Sequence, residues 1–230
     1  LHKTVRRQRQ MCIRDRGTLA TFKNIELYLQ QIPQHKVMGV CHFPTFYAAM
    51  DAAQHLVKLD PVAVELIDRT MIELARNIPI FKSTIDSFVK GEPDAVLLVE
   101  FSGDDLGSLK GKLQELDTMM SDLGYSKAII EAIDPVFQSK ITEVRQQGLN
   151  IMMSMKTSGK PVSFIEDCAV PLENLAEYTH RLTEVFKKYG TDGTWYAHAS
   201  VGCLHVRPVL DMKKGEDVKK MRAIAEEAFE

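Results

Sequence analysis

The apolar positions of the chain switch between a period of two and a period near 3.6, and each switch marks an element. Ile25, Leu27 and Leu29 alternate with Glu26, Tyr28 and Gln30, which predicts a half-buried strand. A second strand, over about 35–41, follows Pro33. Phe46, Ala49, Met50, Ala53, Leu56 and Val57 then recur at threes and fours, the spacing of an amphipathic helix, with Thr45 behind Pro44 as its cap. A strand near 62–67 comes next. Residues 94–101 read as the clearest strand of the chain, and Leu106, Leu109, Leu113, Leu116, Met120 and Leu123 set one stripe on the helix after it. A strand at about 126–131 closes that unit.

A helical stretch near 134–147 and a Ser/Gly/Lys loop at 154–160 lead to a strand from Val162 to Cys168. Leu175, Tyr178, Leu182, Phe186 and Tyr189 share a helix face, and Pro171 suits the first turn. Strands near 194–200 and 203–209 and a helix from about 216 complete the pattern. Strand–helix–strand units with hairpins among them predict an α+β fold: a ferredoxin-like antiparallel or mixed sheet with helices packed on one face.

Composition narrows the class. With 45% apolar and 26% charged residues among 230, the chain falls in the globular range. Its apolar runs, such as Ala95–Val99, fall far short of a bilayer span. Cys12, Cys41, Cys168 and Cys203 lie far apart with no Cys-x-x-Cys pair, which suits a reducing cytoplasm and neither a disulfide framework nor a zinc knuckle. No glycine-rich phosphate loop is present. Residues 1–16 hold Lys3, Arg6, Arg7, Arg9, Arg14 and Arg16 against Asp15, about +5, so the rest of the chain carries about −7 of the net −2. A body of that sign argues against nucleic acid as a partner. The stretch Arg9-Gln-Met-Cys-Ile-Arg-Asp-Arg16 resembles translated sequencing-adapter read-through, so residues 1–16 are expected to be an artefact, with a disordered basic tail or a targeting signal as the other readings.

Candidate chemistry concentrates between Trp195 and Arg207. A turn centred on Val201-Gly202 would set His198 opposite His205, Ala199 opposite Leu204 and Ser200 opposite Cys203. Both imidazoles would then share one face, close enough to reach a single metal. Ala197, Ala199, Leu204 and Val206 would pack on the core, with Tyr196, His198, Ser200, Cys203, His205 and Arg207 on the other face. Two histidines on a solvated face with no third ligand also describe an ordinary surface. Arg207 reads equally as a surface charge or a carboxylate-binding group. Trp195 reads as a packing residue, and so do Cys168 and Cys203. Glu166 and Asp167 read first as charges near a helix N-terminus, Lys160 as a loop charge, and Met152–Met155 as a packed loop.

The segment His-Ala-Ser-Val-Gly-Cys-Leu-His-Val-Arg-Pro at 198–208 resembles the His-x6-His motif of the FAD-linked oxidase C-terminal domain, the family of D-lactate, glycolate and D-2-hydroxyglutarate dehydrogenases. The likeness extends through Lys160–Pro171 and through Ala63-Val-Glu-Leu-Ile-Asp68. It also reaches Gly17-Thr-Leu19, which resembles the end of a flavin-binding domain. The Cys-Leu-His-Val-Arg-Pro wording is similar to a subgroup fused to an iron–sulfur region.

The resemblance implies a domain layout: 17–33 as the remnant of an FAD-binding domain and 34–230 as a substrate-binding cap domain truncated at its C-terminal end. It implies His198 and His205 as catalytic residues and ligands of a divalent metal, zinc or iron, and Arg145 and Arg207 as substrate-binding residues. Thr142 stands where the family has a tryptophan ahead of that first arginine, so a solvated helix arginine remains the other reading of Arg145. The family's third metal ligand, a glutamate, is expected beyond Glu230, leaving Glu166, Asp167 or water to complete the shell. The implied cofactors are FAD, the divalent metal and iron–sulfur clusters in a further C-terminal region. The implied substrate is a small 2-hydroxy acid, oxidised to the 2-oxo acid. A stand-alone ferredoxin-like module that binds a ligand or metal without redox activity is the alternative.

Overall fold

The computed structural model describes residues 21, 23–29 and 31–229. The chain divides into two compact units, Leu1–Ile32 and Pro33–Glu230. The basic stretch 1–16 and Gly17-Thr-Leu19 lie outside the described residues. The strand expected at 25–29 does not form, and Ile25, Leu27 and Leu29 are exposed. Alternation alone makes no strand where no neighbouring chain supplies the ladder of hydrogen bonds.

The second unit is built on an eight-stranded sheet. Its strands are β1 (His35–Phe43), β2 (Ala63–Asp68), β3 (Ala95–Gly103), β4 (Ile129–Ala132), β5 (Lys160–Pro161), β6 (Ile165–Ala169), β7 (Gly193–His198) and β8 (Cys203–Leu210). They run in the order β4-β1-β3-β2-β7-β8-β5, with β6 also paired to β8, and every pairing is antiparallel. The β4-β1-β3-β2 part has the ferredoxin-like strand order. Eight helices accompany the strands: α1 (Phe46–Leu56), α2 (Arg69–Arg76), α3 (Pro79–Phe88), α4 (Leu106–Asp122), α5 (Pro135–Gln146), α6 (Gly148–Met153), α7 (Leu175–Lys188) and α8 (Gly215–Phe229).

Caps fix the helix starts. Thr45 Oγ1 accepts from the Ala48 N–H at 3.1 Å, Asp105 from Ser108 at 2.6 Å and Asp134 from Phe137 at 2.8 Å, each satisfying an orphan donor of a first turn. Pro79 and Pro135 occupy first-turn positions, where a missing N–H costs nothing.

The helices cover both faces of the sheet, where one face was expected. Val37, Cys41 and Phe43 of β1 and Leu97, Val99 and Phe101 of β3 meet α1, α4, α7 and α8 in one apolar layer. Met38 and Val40 of β1, Ile67 of β2 and Val96 and Leu98 of β3 meet α2, α3, α5 and α6 in another. The central strands are apolar on alternate and intervening positions alike, which requires cover on both sides. Helices α2 and α3, between β2 and β3, and the short α6 are not among the expected elements. Met71, Ile72 and Ala75 nevertheless recur at helical spacing on the buried face of α2. Of the strand expected from Val162 to Cys168 only the part from Ile165 forms, as β6, which carries a bulge at Asp167, whose φ is 58°.

Candidate active site

The hairpin of β7 and β8 turns more widely than its sequence suggests. Ala199–Val201 form a single 3-10 turn that ends at Gly202 in the left-handed region, φ 65°. His198 therefore pairs with Cys203 and Tyr196 with His205, two residues away from the expected register. The physical reason lies at the turn. Ala199 is drawn into the core, and Gly202 sits so close to the neighbouring chain that a Cβ there would lie 1.9 Å from the Val170 carbonyl oxygen. Because side chains alternate with period two, a slip of two keeps both histidines on one face. Ala197, Ala199, Leu204 and Val206 are fully buried on the other face, as the alternation requires.

The imidazoles of His198 and His205 stand 5.4 Å apart between centroids, at 82° to each other, and Tyr196 lies beside both, at 6.3 and 5.8 Å. Each ring has its Nδ1 against carboxylate. His198 Nδ1 lies 2.9 and 3.0 Å from the two oxygens of Glu65. His205 Nδ1 lies 3.0 Å from Asp167 and 3.3 Å from Glu166. Carboxylate partners of this kind fix the orientation and tautomer of a ring and leave Nε2 for another ligand.

The two arginines are tied into the same network. Arg145, on α5, pairs with Glu65 and stacks its guanidinium 4.2 Å from the centre of the Tyr196 ring. It is largely buried, not a solvated helix arginine, and its Nε is buried without a partner. Arg207 donates from Nε to Glu166. A cavity of about 220 Å³ opens beside it, lined by Gln146, Leu149, Met152, Glu166, Tyr196, His205 and Arg207. Burial pushes the Tyr196 hydroxyl above the ordinary tyrosine range, against the pull of the Arg145 charge, while Glu65 adds to the rise. The Cys203 thiol is likewise pushed up, first by burial and then by Asp167 and its neighbours.

Several secondary expectations change. Glu166 and Asp167 turn toward His205 and Arg207 instead of serving the helix that follows, because the bulge at Asp167 redirects the strand. The Cys203 sulfur lies within 4.8 Å of donor atoms of Asp167 and His205, a group that could hold a metal ion. Lys160 donates to the carbonyls of Met155 and Met153 at the end of α6, where a cation suits the helix dipole. Trp195 packs, as expected, against Phe46 and Phe186. Glu65 was not foreseen as a site residue. Its signal was a carboxylate in the middle of the apolar run Ala-Val-Glu-Leu-Ile.

A larger cleft, about 700 Å³, opens between β1 and α5. Among its lining residues Lys36 pairs with Glu100 at 2.8 Å, and the Gln138 amide donates to the carbonyls of Lys36, Ala132 and Ile133. The smaller cavity is the one lined by His205, Arg207 and Glu166.

A two-faced antiparallel sheet that presents paired histidines, each backed by carboxylate, beside two arginines defines an α+β domain with a polar cleft at one end of its sheet. The chain belongs to the family of FAD linked oxidases, C-terminal domain, whose model matches residues 32–230. It is 27% identical over 226 residues to the D-2-hydroxyglutarate dehydrogenase of Haemophilus influenzae, covering 93% of this chain and 22% of that protein. It is 28% identical over 209 residues to the mitochondrial D-lactate dehydrogenase (cytochrome) of Arabidopsis thaliana, covering 90% and 35%. The chain thus spans about a fifth to a third of the length of these relatives. Among solved structures, p-cresol methylhydroxylase shares the fold with a TM-score of 0.61 at 13% identity, over 87% of this chain and 44% of that one. Among the described residues no helix is long and apolar enough to cross a membrane.

Proposed function

We propose that this chain is the substrate- and metal-binding part of an FAD-dependent dehydrogenase that oxidises a D-2-hydroxy acid to the 2-oxo acid. The observation that carries the reading is the histidine pair: two rings on one face, His198 with Nδ1 hydrogen-bonded to Glu65, which leaves its Nε2 for a ligand, and His205 with Nδ1 3.0 Å from Asp167. The family and the 2-hydroxy acid dehydrogenases among the relatives support the same reaction class.

In this reading Arg207 and Arg145 receive the substrate carboxylate, for which a guanidinium fork is suited. The hydroxyl then lies at His198 and His205. Its proton is accepted by an Nε2 lone pair acting as general base, or leaves more readily where a divalent metal, zinc or iron, held by the two histidines lowers the hydroxyl pKa. Asp167 and Cys203 can extend that donor set on the His205 side. FAD supplies the two-electron acceptor for the hydrogen on the α-carbon. Tyr196, Leu149 and Met152 supply apolar surface to the cavity wall.

The test is calorimetry of zinc, iron and manganese binding to the 230-residue chain, with His198→Ala and His205→Ala under identical conditions. Binding lost in both variants is the expected result. Binding unaffected by either substitution, or absent from the unsubstituted chain, would sink the metal site and return the hairpin to a structural role.

A further inference from the structure

Glu65 is the group on which the two halves of the site converge. It stands in β2 directly across from His198 in the antiparallel register. Its neighbours Val64 and Leu66 point into the core layer on the opposite face. Both carboxylate oxygens are within hydrogen-bond distance of one nitrogen, His198 Nδ1, at 2.9 and 3.0 Å. One of the two also accepts from Arg145 Nη2. The carboxylate side chain is 19% exposed and the guanidinium 13%, so water replaces little of what either would lose if separated.

The chemistry of the contact fixes more than distance. An ionised carboxylate only accepts hydrogen bonds, so the Nδ1 facing it carries the proton, and in the neutral ring Nε2 carries the lone pair. A solvated histidine side chain favours the opposite tautomer. Arg145 is held by Glu65, by the face of Tyr196 and by the Ala197 carbonyl at 3.5 Å, and its Nε is buried without a partner. Among the described residues Glu65 is the only charged partner of that guanidinium.

We infer that Glu65 is a positioning residue that orients both sides of the site at once: it sets His198 in the Nδ1–H tautomer, which turns the Nε2 lone pair to an incoming ligand, and it holds Arg145 across Tyr196. The inference rests on the reading of His198 given above and extends it to a residue that touches neither substrate nor metal. One carboxylate thereby links the imidazole that meets the hydroxyl to the arginine that meets the carboxylate.

The experiment is long-range nitrogen–proton correlation spectroscopy of the imidazoles in the 230-residue chain, with His198 assigned by its loss in His198→Ala and zinc calorimetry on the same samples. In the unsubstituted chain the His198 ring shows the Nδ1–H pattern. Glu65→Gln keeps it, because the side-chain carbonyl still accepts, whereas Glu65→Ala moves the ring to Nε2–H and weakens zinc binding about 10- to 100-fold. If Glu65→Ala does not fold, Glu65→Met combined with Arg145→Met leaves no orphaned charge and carries the same comparison. A ring already in the Nε2–H form, or one that keeps its tautomer after Glu65 is removed, overturns the inference. If the tautomer depends on Glu65 as expected but zinc does not bind, the positioning role stands and the metal reading of the site fails.

Discussion

Strands β3 and β8 belong to one sheet, yet they bury their residues in different ways. Through Ala95–Val99 every side chain of β3 is buried, the odd positions in one apolar layer and the even ones in the other. In β8 the burial alternates strictly, with Leu204 and Val206 inside and Cys203, His205 and Arg207 half-exposed. The difference marks where the second layer ends. It reaches β2 through Ile67, and the next residue on that face of β2 is Glu65, the first charge of the site. The cleft is thus a place where one of two apolar layers stops, and the face it would have covered carries the histidines with their carboxylates and arginines.

Truncation should separate the two strands by the largest margin. Leu97, on β3, is fully buried, and Leu97→Ala is expected to cost roughly 2–5 kcal/mol through lost transfer energy and a residual cavity. His205→Ala, on the polar face of β8, is expected to cost under about 1 kcal/mol because its partners retain access to water. Urea denaturation of the two variants checks this. Equal losses would mean that the polar face contributes as much to stability as the core does.

The same contrast explains what could be read without coordinates. Local pattern placed the helix over Phe46–Leu56 with its Thr45 cap, a strand over 94–101 where Ala95–Gly103 forms, and the inward residues of the hairpin. The shared face of His198 and His205 was legible for the same reason, since parity survives an even slip in register. The register itself was not, because the close approach of Gly202 to Val170 is a contact between segments far apart in sequence. Nor were the partners of the histidines: Glu65 lies 133 residues from His198, and Asp167 comes to His205 only through a bulge. Local pattern reports which way a side chain points, whereas pairing across the sheet decides what it meets.

Asp68 gives a second, smaller contrast, with Glu65, three residues earlier on β2. Asp68 points to the covered face, where it caps α2 through the Met71 N–H at 2.8 Å and accepts from the Trp195 N–H at 3.0 Å. Burial nevertheless dominates and pushes its carboxyl from 3.8 up to about 6. A raised native pKa means that the folded state binds the proton more tightly than the unfolded one. The group's contribution to stability is therefore present below about pH 4 and lost as the pH rises through about 6. At about 1.4 kcal/mol per unit the loss is on the order of 2–3 kcal/mol. Urea midpoints of the unsubstituted chain and Asp68→Asn from pH 4 to 7 should converge or cross by that amount. A difference that stays constant over this window would assign Asp68 an ordinary carboxyl pKa.

The smallest net effect is expected where the two kinds of surface meet. Glu65 and Arg145 form a mostly buried ion pair beside the end of the second apolar layer. Removing one partner strands the other charge, so Glu65→Met alone should cost about 3–5 kcal/mol. Replacing both by methionine removes the charges together and extends the apolar layer over the site, with a net change expected between neutral and about 1–4 kcal/mol stabilising. Denaturation of the single and double variants measures this, and zinc calorimetry on the double variant should show the weakened binding that the single substitution produces. A double variant as unstable as the single one would make the pair a structural element in its own right. A stable double variant with impaired binding would mean that the charges are kept at this boundary for what they do to His198 and Arg145's partner ligand, at no gain to the fold.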